Sequence, residues 1–301
     1  METHVPVLMR ESVDSLALRP DATVLDATLG SGGHASAIVR AMQGGVFVGI
    51  DADEHALTVA KEKLTEVAGT VSVHYCEGNF RDSVRIASDL GIHTFDAILA
   101  DLGWGIHQQQ SGRGFSFTND EPLNMCYSTR DGACAVTALE VVNTFEESAL
   151  SDVLLHYGEE RWAVRIAKHI VAERKNKKIV TTRHLAEVVS RSVPRALHPR
   201  DRHVATKTFQ AIRMVVNDEL QTLRQFLEAA AALARAGTRI SVITFHSSED
   251  RIVKQTFRAW ERDGFGKQLT KTPITASRSE ISANPRARSA KLRTFTVTTY
   301  E

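Results

Sequence analysis

The residues best suited to chemistry begin with the run Asp26-Ala27-Thr28-Leu29-Gly30-Ser31-Gly32-Gly33-His34. Glycines in such a turn let the backbone bend sharply and approach a ligand without a Cβ in the way, and the helix that follows offers free N–H groups. Asp51 comes 21 residues after Gly30. A carboxylate at that place can accept both hydroxyls of an adenosine ribose. The spacing Gly30-x-Gly32-x-x-Ala35 also meets the permissive dinucleotide fingerprint, so the loop alone leaves an NAD-dependent enzyme open. A tight strand–helix turn with an ordinary capping Asp is the plainer alternative.

Asp101-Leu102-Gly103-Trp104 separates these possibilities. In an open parallel sheet the carboxyl end of the fourth strand faces the ligand crevice. An exocyclic amine of a nucleobase is a poor nucleophile, because its lone pair is delocalised into the ring. An acceptor for its N–H groups localises that pair and aims it at a methyl donor. Asp101 suits the acceptor, and Trp104 suits stacking on the base. A dehydrogenase would instead need a hydride-side His, Lys or Tyr constellation, and none stands out.

The elements that must position these residues read as alternating strands and helices. Strands are expected at 23–26, 46–51, 71–75 and 95–101, with helices at 35–42 and 56–64 between the first three, which implies βαβ units and a parallel sheet. The alternation stops near Gln108. Up to Val204 the pattern is loop and helix, with Trp162, Ile166 and Ile170 on one apolar stripe. A long helix is expected from Thr208 through the alanine-rich 229–236 stretch to Gly237, with Phe209, Ile212 and Val216 on one face. A buried strand follows at 239–245, and 294–298 alternates like an edge strand. The expected divisions are 1–107 and 208–301 for an α/β domain and 108–207 for a helical insertion.

Composition agrees with a well-cored globular protein: 301 residues, 43% hydrophobic and 24% charged, with 7 Pro and 18 Gly. Lys and Arg number 37 against 36 acids, so bulk charge does not announce a nucleic-acid binder. Three cysteines, Cys76, Cys126 and Cys134, form no C-x-x-C pair; they argue against a disulfide framework and suit a reducing cytosol. No apolar window is long enough to span a membrane, and no leader is expected, so a cytoplasmic location is. The histidines show no metal-ligand spacing, and no metal is expected.

Six blocks in fixed order resemble the MraW/RsmH family. They are the glycine run 26–34, Asp101-Leu102-Gly103, Arg113-Gly114-Phe115-Ser116-Phe117, Tyr157-Gly158-Glu159-Glu160-Arg161, Thr208-Phe209-Gln210-Ala211-Ile212-Arg213, and residues 245–254 from Phe245 to Lys254. The resemblance covers essentially the whole chain. It implies a Rossmann-like class I methyltransferase domain with a parallel-dominated sheet and an inserted all-helical domain. It also implies S-adenosylmethionine as cofactor and, as substrate, the N4 amine of a cytidine in small-subunit ribosomal RNA, naked or in the assembled subunit. A homodimer stays open, as does a diverged, non-catalytic ribosome-assembly factor. Carried over by position, the resemblance sets the cofactor against Gly32, Gly33, His34, Asp51, Phe80, Asp101 and Gln108, beside the Gly30 turn.

Two departures fall at the expected base position. Trp104-Gly105-Ile106 stands where the family usually has Val-Ser-Ser, and Asn124-Met125-Cys126-Tyr127 where it has Asp-Met-Arg-Met. Asp101, Trp104 and Asn124 are therefore the expected catalytic set, the base being held by stacking on Trp104. RNA contacts are expected from Arg113, Phe115 and Phe117, since splayed bases stack on aromatics and guanidinium planes, and from His246 and Lys254. Seven basic residues against two acids over 181–214, and eleven against three over 251–293, suit phosphate contacts. Ser247 and Ser248, ahead of Glu249 and Asp250, read as a helix start.

Overall fold

The computed structural model describes residues 6–103, 105–130, 133–200 and 202–298, without the side chains of Ile106 and His107. The chain divides into two units, one formed by the residues up to Gly105 and from Leu220 onward, the other by Ile106–Glu219.

The first unit opens with α1 (Met9–Leu16), β1 (Thr23–Asp26), α2 (Gly33–Ala41), β2 (Val46–Asp51), α3 (Glu54–Thr65), β3 (Ser72–Glu77), α4 (Ser83–Asp89) and β4 (Phe95–Asp101). The helical unit holds α5 (Ile106–Gln109), α6 (Ala138–Thr144), α7 (Glu147–His156), α8 (Ala163–Asn176), α9 (Thr182–Ser192) and α10 (Thr206–Val216). The chain then returns through α11 (Glu219–Ala232), β5 (Ala234–Thr244), α12 (Ser247–Arg262), β6 (Gly266–Gln268), β7 (Ile274–Thr275), α13 (Arg278–Ala283) and β8 (Lys291–Val297).

The sheet runs β3-β2-β1-β4-β5-β8-β6, with β7 also paired to β8. β1 to β5 are parallel; β8 runs antiparallel to β5, and β6 and β7 antiparallel to β8. The chain steps to one side from β1 to β2 and to the other for β4, which makes the gap beyond their carboxyl ends the topological switch point. Apolar cores cover both faces. Leu16, Ile38, Val39, Leu57 and Leu64 of the first three helices pack on Val24, Phe47 and Leu99. Ile86, Phe226, Leu227, Ile252 and Phe257 pack with Leu25, Ile50, Ile98 and Val242. Strands buried on both faces read as continuous apolar runs, which is why β4 was plain in the sequence.

Four expectations need correction. α10 packs against α6 and α7, so the second boundary lies at 219/220 rather than 207/208. The expected long helix is two helices, broken where Asp218 adopts a left-handed φ of 47°, and β5 begins within the alanine-rich stretch. The strand near 294–298 is no edge; β8 lies between β5 and β6. Cys126 and Cys134, eight positions apart in sequence, are joined in a disulfide, their Cα atoms 6.0 Å apart, within the range such a bond spans. Cys76 is the free thiol. Among the described residues, no helix is long and apolar enough to cross a membrane.

Candidate active site

Asp26 ends β1, Asp51 ends β2 and Asp101 ends β4, so the sheet brings three carboxylates to one edge on either side of the switch point. Between the first strand and its helix, Gly30 and Gly32 hold φ of +51° and +73°, conformations that favour glycine, and Gly32 caps α2. The turn is tied to Asp51. The Gly30 N–H donates to Asp51 Oδ2 at 2.8 Å and the Asp53 N–H to Oδ1 at 2.9 Å. Each oxygen keeps a lone pair for another donor, as a ribose hydroxyl would require. Burial pushes the Asp51 carboxyl up to about 6, against the pull of those backbone donors.

Asp26 is only 1% exposed, and its Oδ1 accepts the Thr28 N–H at 3.1 Å. Burial, with a smaller push from Asp51, raises its pKa to about 7. Thr28 is a member of the site that sequence reasoning missed. Its Oγ1 accepts the Asp101 backbone N–H at 2.6 Å, joining the glycine turn to the end of β4.

The Asp101 side chain divides its two oxygens between different surroundings. Oδ2 lies 3.5 Å from His34 Nδ1. His34 Nε2 pairs with the Val7 carbonyl oxygen at 2.9 Å, and a carbonyl can only accept, so that nitrogen carries the hydrogen. Oδ1 is enclosed and has no hydrogen-bond partner among the described residues. Burial first, then the carboxylates of Asp26 and Glu249, holds the Asp101 pKa well above the usual range. A carboxyl that keeps its proton toward His34 presents Oδ1 as a bare acceptor, and such an atom calls for an N–H donor. The glycine turn, the doubly anchored Asp51 and this acceptor suit an adenosine-bearing cation beside an amine.

The other expected residues fall as follows. Gly33 begins α2, and His34, 6% exposed, directs its ring to Val7 and Asp101. Phe80 follows β3 in a 3₁₀ turn and packs edge-on against Phe226, ring centroids 5.2 Å apart. Trp104 lies outside the described residues. Gln108 and Asn124 belong to the helical unit. Gln108 is buried, and Asn124 Oδ1 accepts the Cys126 N–H at 2.8 Å.

The Arg113–Phe117 loop is largely engaged within its own unit. Arg113 donates to the carbonyls of Cys126 and Tyr127, Phe115 is buried and stacked on Tyr127, and Phe117 packs on His203 and Phe209. These contacts are what the open stacking platform expected there became.

His246, expected to reach a substrate, is the N-cap of α12. Its Nδ1 accepts the Glu249 N–H, while Glu249 Oε2 accepts the Phe245 and His246 N–H groups. The cap is therefore not a serine hydroxyl of Ser247 or Ser248. Lys254 is half-buried on the same helix. The basic 251–293 segment is less free than its count suggests, since Lys291 and the buried Arg293 both pair with Asp250.

A family model described as the MraW methylase family matches residues 1–298. Among curated proteins, the chain is 41% identical over 307 residues to the "Ribosomal RNA small subunit methyltransferase H" of Symbiobacterium thermophilum, covering 96% of this chain and 95% of that one. The protein of the same name from Clostridioides difficile is 39% identical, covering 96% and 97%. That from Dictyoglomus thermophilum is 44% identical over 293 residues, covering 96% and 95%.

Proposed function

Because the chain belongs to the MraW methylase family, we propose that it transfers a methyl group from S-adenosylmethionine to the N4 exocyclic amine of a cytidine in small-subunit ribosomal RNA, in the cytoplasm where that subunit is made. The observation that carries the reading is Asp101 Oδ1, an enclosed acceptor without a donor among the described residues, at the end of β4 beside the glycine turn.

When bound, S-adenosylmethionine supplies a methyl group on a cationic sulfonium, so alignment counts for more than a strong base. The residues present fit it: Asp51 would take the ribose hydroxyls, the Gly30–His34 turn would lie along the cofactor, and Phe80 would flank the adenine. Asp101 Oδ1 would accept an N–H of the target amine, drawing its lone pair out of ring conjugation and fixing its direction. His34 holds the other Asp101 oxygen, and Val7 holds His34, so the acceptor is oriented before the base arrives. A base within structured RNA must be unstacked first, at about a few kcal/mol.

Asp101→Ala is expected to lower methyl transfer about 100- to 1,000-fold, the usual loss when one transition-state partner is removed. Tritium transfer from labelled cofactor to small-subunit RNA, offered naked and as assembled subunits, measures it, with mass spectrometry identifying the modified base. Transfer at the parental rate would overturn the role of Asp101. No label from the parent protein would instead favour a non-catalytic assembly factor. A thermal shift with a nicotinamide cofactor in place of S-adenosylmethionine would restore the oxidoreductase alternative.

A further inference from the structure

The Tyr157–Arg161 block and the basic 181–214 segment play no part in the chemistry above, yet inside the helical unit they meet. Residues just ahead of α8, from Glu160 to Trp162, and residues 193, 196–199, 202, 204 and 207 line an open pocket of about 440 Å³, within the range of small-ligand sites and large enough for one nucleotide. Val193, Leu197, Pro199 and Val204 give it an apolar lining. Trp162 lines it too, its indole Nε1 enclosed with no hydrogen-bond partner among the described residues. A buried donor without an acceptor is uncommon in a finished structure and marks a position that a ligand can complete.

The charged groups around this lining are unequal in sign. Among the described lining residues, Arg161, Arg202 and Lys207 are basic and Glu160 is acidic; Glu160 is 6% exposed and accepts the Trp162 backbone N–H at 2.9 Å. Lys207 Nζ donates to the Glu159 carbonyl oxygen, which holds the ammonium group at the pocket. Neither Arg161 nor Arg202 forms an ion pair among the described residues. The Arg161 guanidinium lies 5.5 Å from the Trp162 ring centroid. Apolar surface, an aromatic donor and basic side chains together form the combination that binds single-stranded nucleic acid: a platform for the base and charge for its phosphates. An acidic protein segment would satisfy the cations and the indole but offers no planar base to lie on the apolar lining.

We propose that this pocket takes one unstacked nucleotide of the RNA, its base against the apolar lining beside Trp162 and its flanking phosphates on Arg161, Arg202 and Lys207. The proposal rests on the reading of the chain as an RNA methyltransferase and gives the helical unit a definite part in holding the substrate.

The test uses the full chain and a short fluorescein-labelled oligouridylate, with affinity followed by anisotropy across a salt series. Arg161→Glu with Arg202→Glu is expected to weaken binding by about 10-fold or more and to flatten the salt dependence by about 1.4 in log–log slope, roughly 0.7 per lost phosphate contact. Lys168→Glu makes a like charge change at an exposed α8 position outside the pocket. It is expected to change affinity by less than about 2-fold, as scattered surface charge does. Trp162→Phe, which keeps a ring and removes the donor, should weaken binding a few-fold, and 4-thiouridine crosslinks should map to 161–162 or 202–207. S-adenosylmethionine affinity should be the same in all variants, which reports that they remain folded. Equal losses in Lys168→Glu and the double variant, or unchanged RNA affinity in the double variant, would overturn the pocket, including the case in which the double variant loses an acidic peptide instead. Failure of the parent to label small-subunit RNA would sink the enzymatic reading, while the affinity pattern would still judge the pocket.

Discussion

Asp26 is a buried acid that folding favours in its protonated form, and this has a signed consequence. Its pKa of about 7 in the folded chain stands above the ordinary 3.8. The proton therefore stabilises the fold fully below about pH 4, and that contribution is lost as pH rises through about 7. Taken alone, the shift corresponds to something on the order of 4 kcal/mol. Asp26→Asn keeps an acceptor for the Thr28 N–H and escapes the cost of ionisation. Thermal melts without cofactor should show the variant gaining on the parent steadily from pH 5 to pH 8. Over the same interval the parent should bind the cationic S-adenosylmethionine more tightly as Asp51 and Asp26 ionise, which calorimetry would register. The cysteines give a second check at this scale. Unfolded without reductant, the chain should take up alkylating reagent at Cys76 alone; after reduction, at all three cysteines.

Asp250 on α12 ties that helix to β8 through Lys291 at 3.1 Å and Arg293 at 2.7 Å. Arg293 is 3% exposed, so Asp250→Ala strands a buried cation and should cost about 3–5 kcal/mol in urea unfolding. Elements of this kind also mark how far the sequence could be read. β1, β2 and β4 were legible because doubly buried strands leave unbroken apolar runs, and the three site carboxylates were legible because they close those runs. β8 was misplaced at an edge because its polar residues suggested a wet face. Thr294 is in fact buried, its hydroxyl 3.1 Å from Ser241 Oγ. The start of β5 was hidden among alanines, whose helix propensity yields to pairing, Ala234 lying opposite Phe95. Within the site, the spacing of Gly30 and Asp51 was visible along the chain. The clasp of Val7 on His34 and the approach of Glu249 to Asp101 were not, because both join segments far apart in sequence and no local pattern records them.

The helical unit buries an apolar set of its own, including Val141, Leu150, Ile166, Ile170, Leu185 and Ile212. Produced as the separate fragment 106–219, it should give a helical circular-dichroism spectrum and a cooperative melt, as an independently cored domain does. Its place between β4 and β5 also orders events during synthesis. β5 pairs with β4 in parallel, yet roughly 130 residues separate Asp101 from Ala234. At a translation rate of about 5–20 residues per second, the β4 edge waits on the order of ten seconds for its partner. During that interval the nascent chain presents the backbone of Ile98, Leu99 and Ala100 as an open template for strand addition. Arrested ribosome complexes ending before residue 234 should therefore shield the inserted helices from protease while β4 is still cut, and releasing those chains should yield aggregates that longer chains do not form.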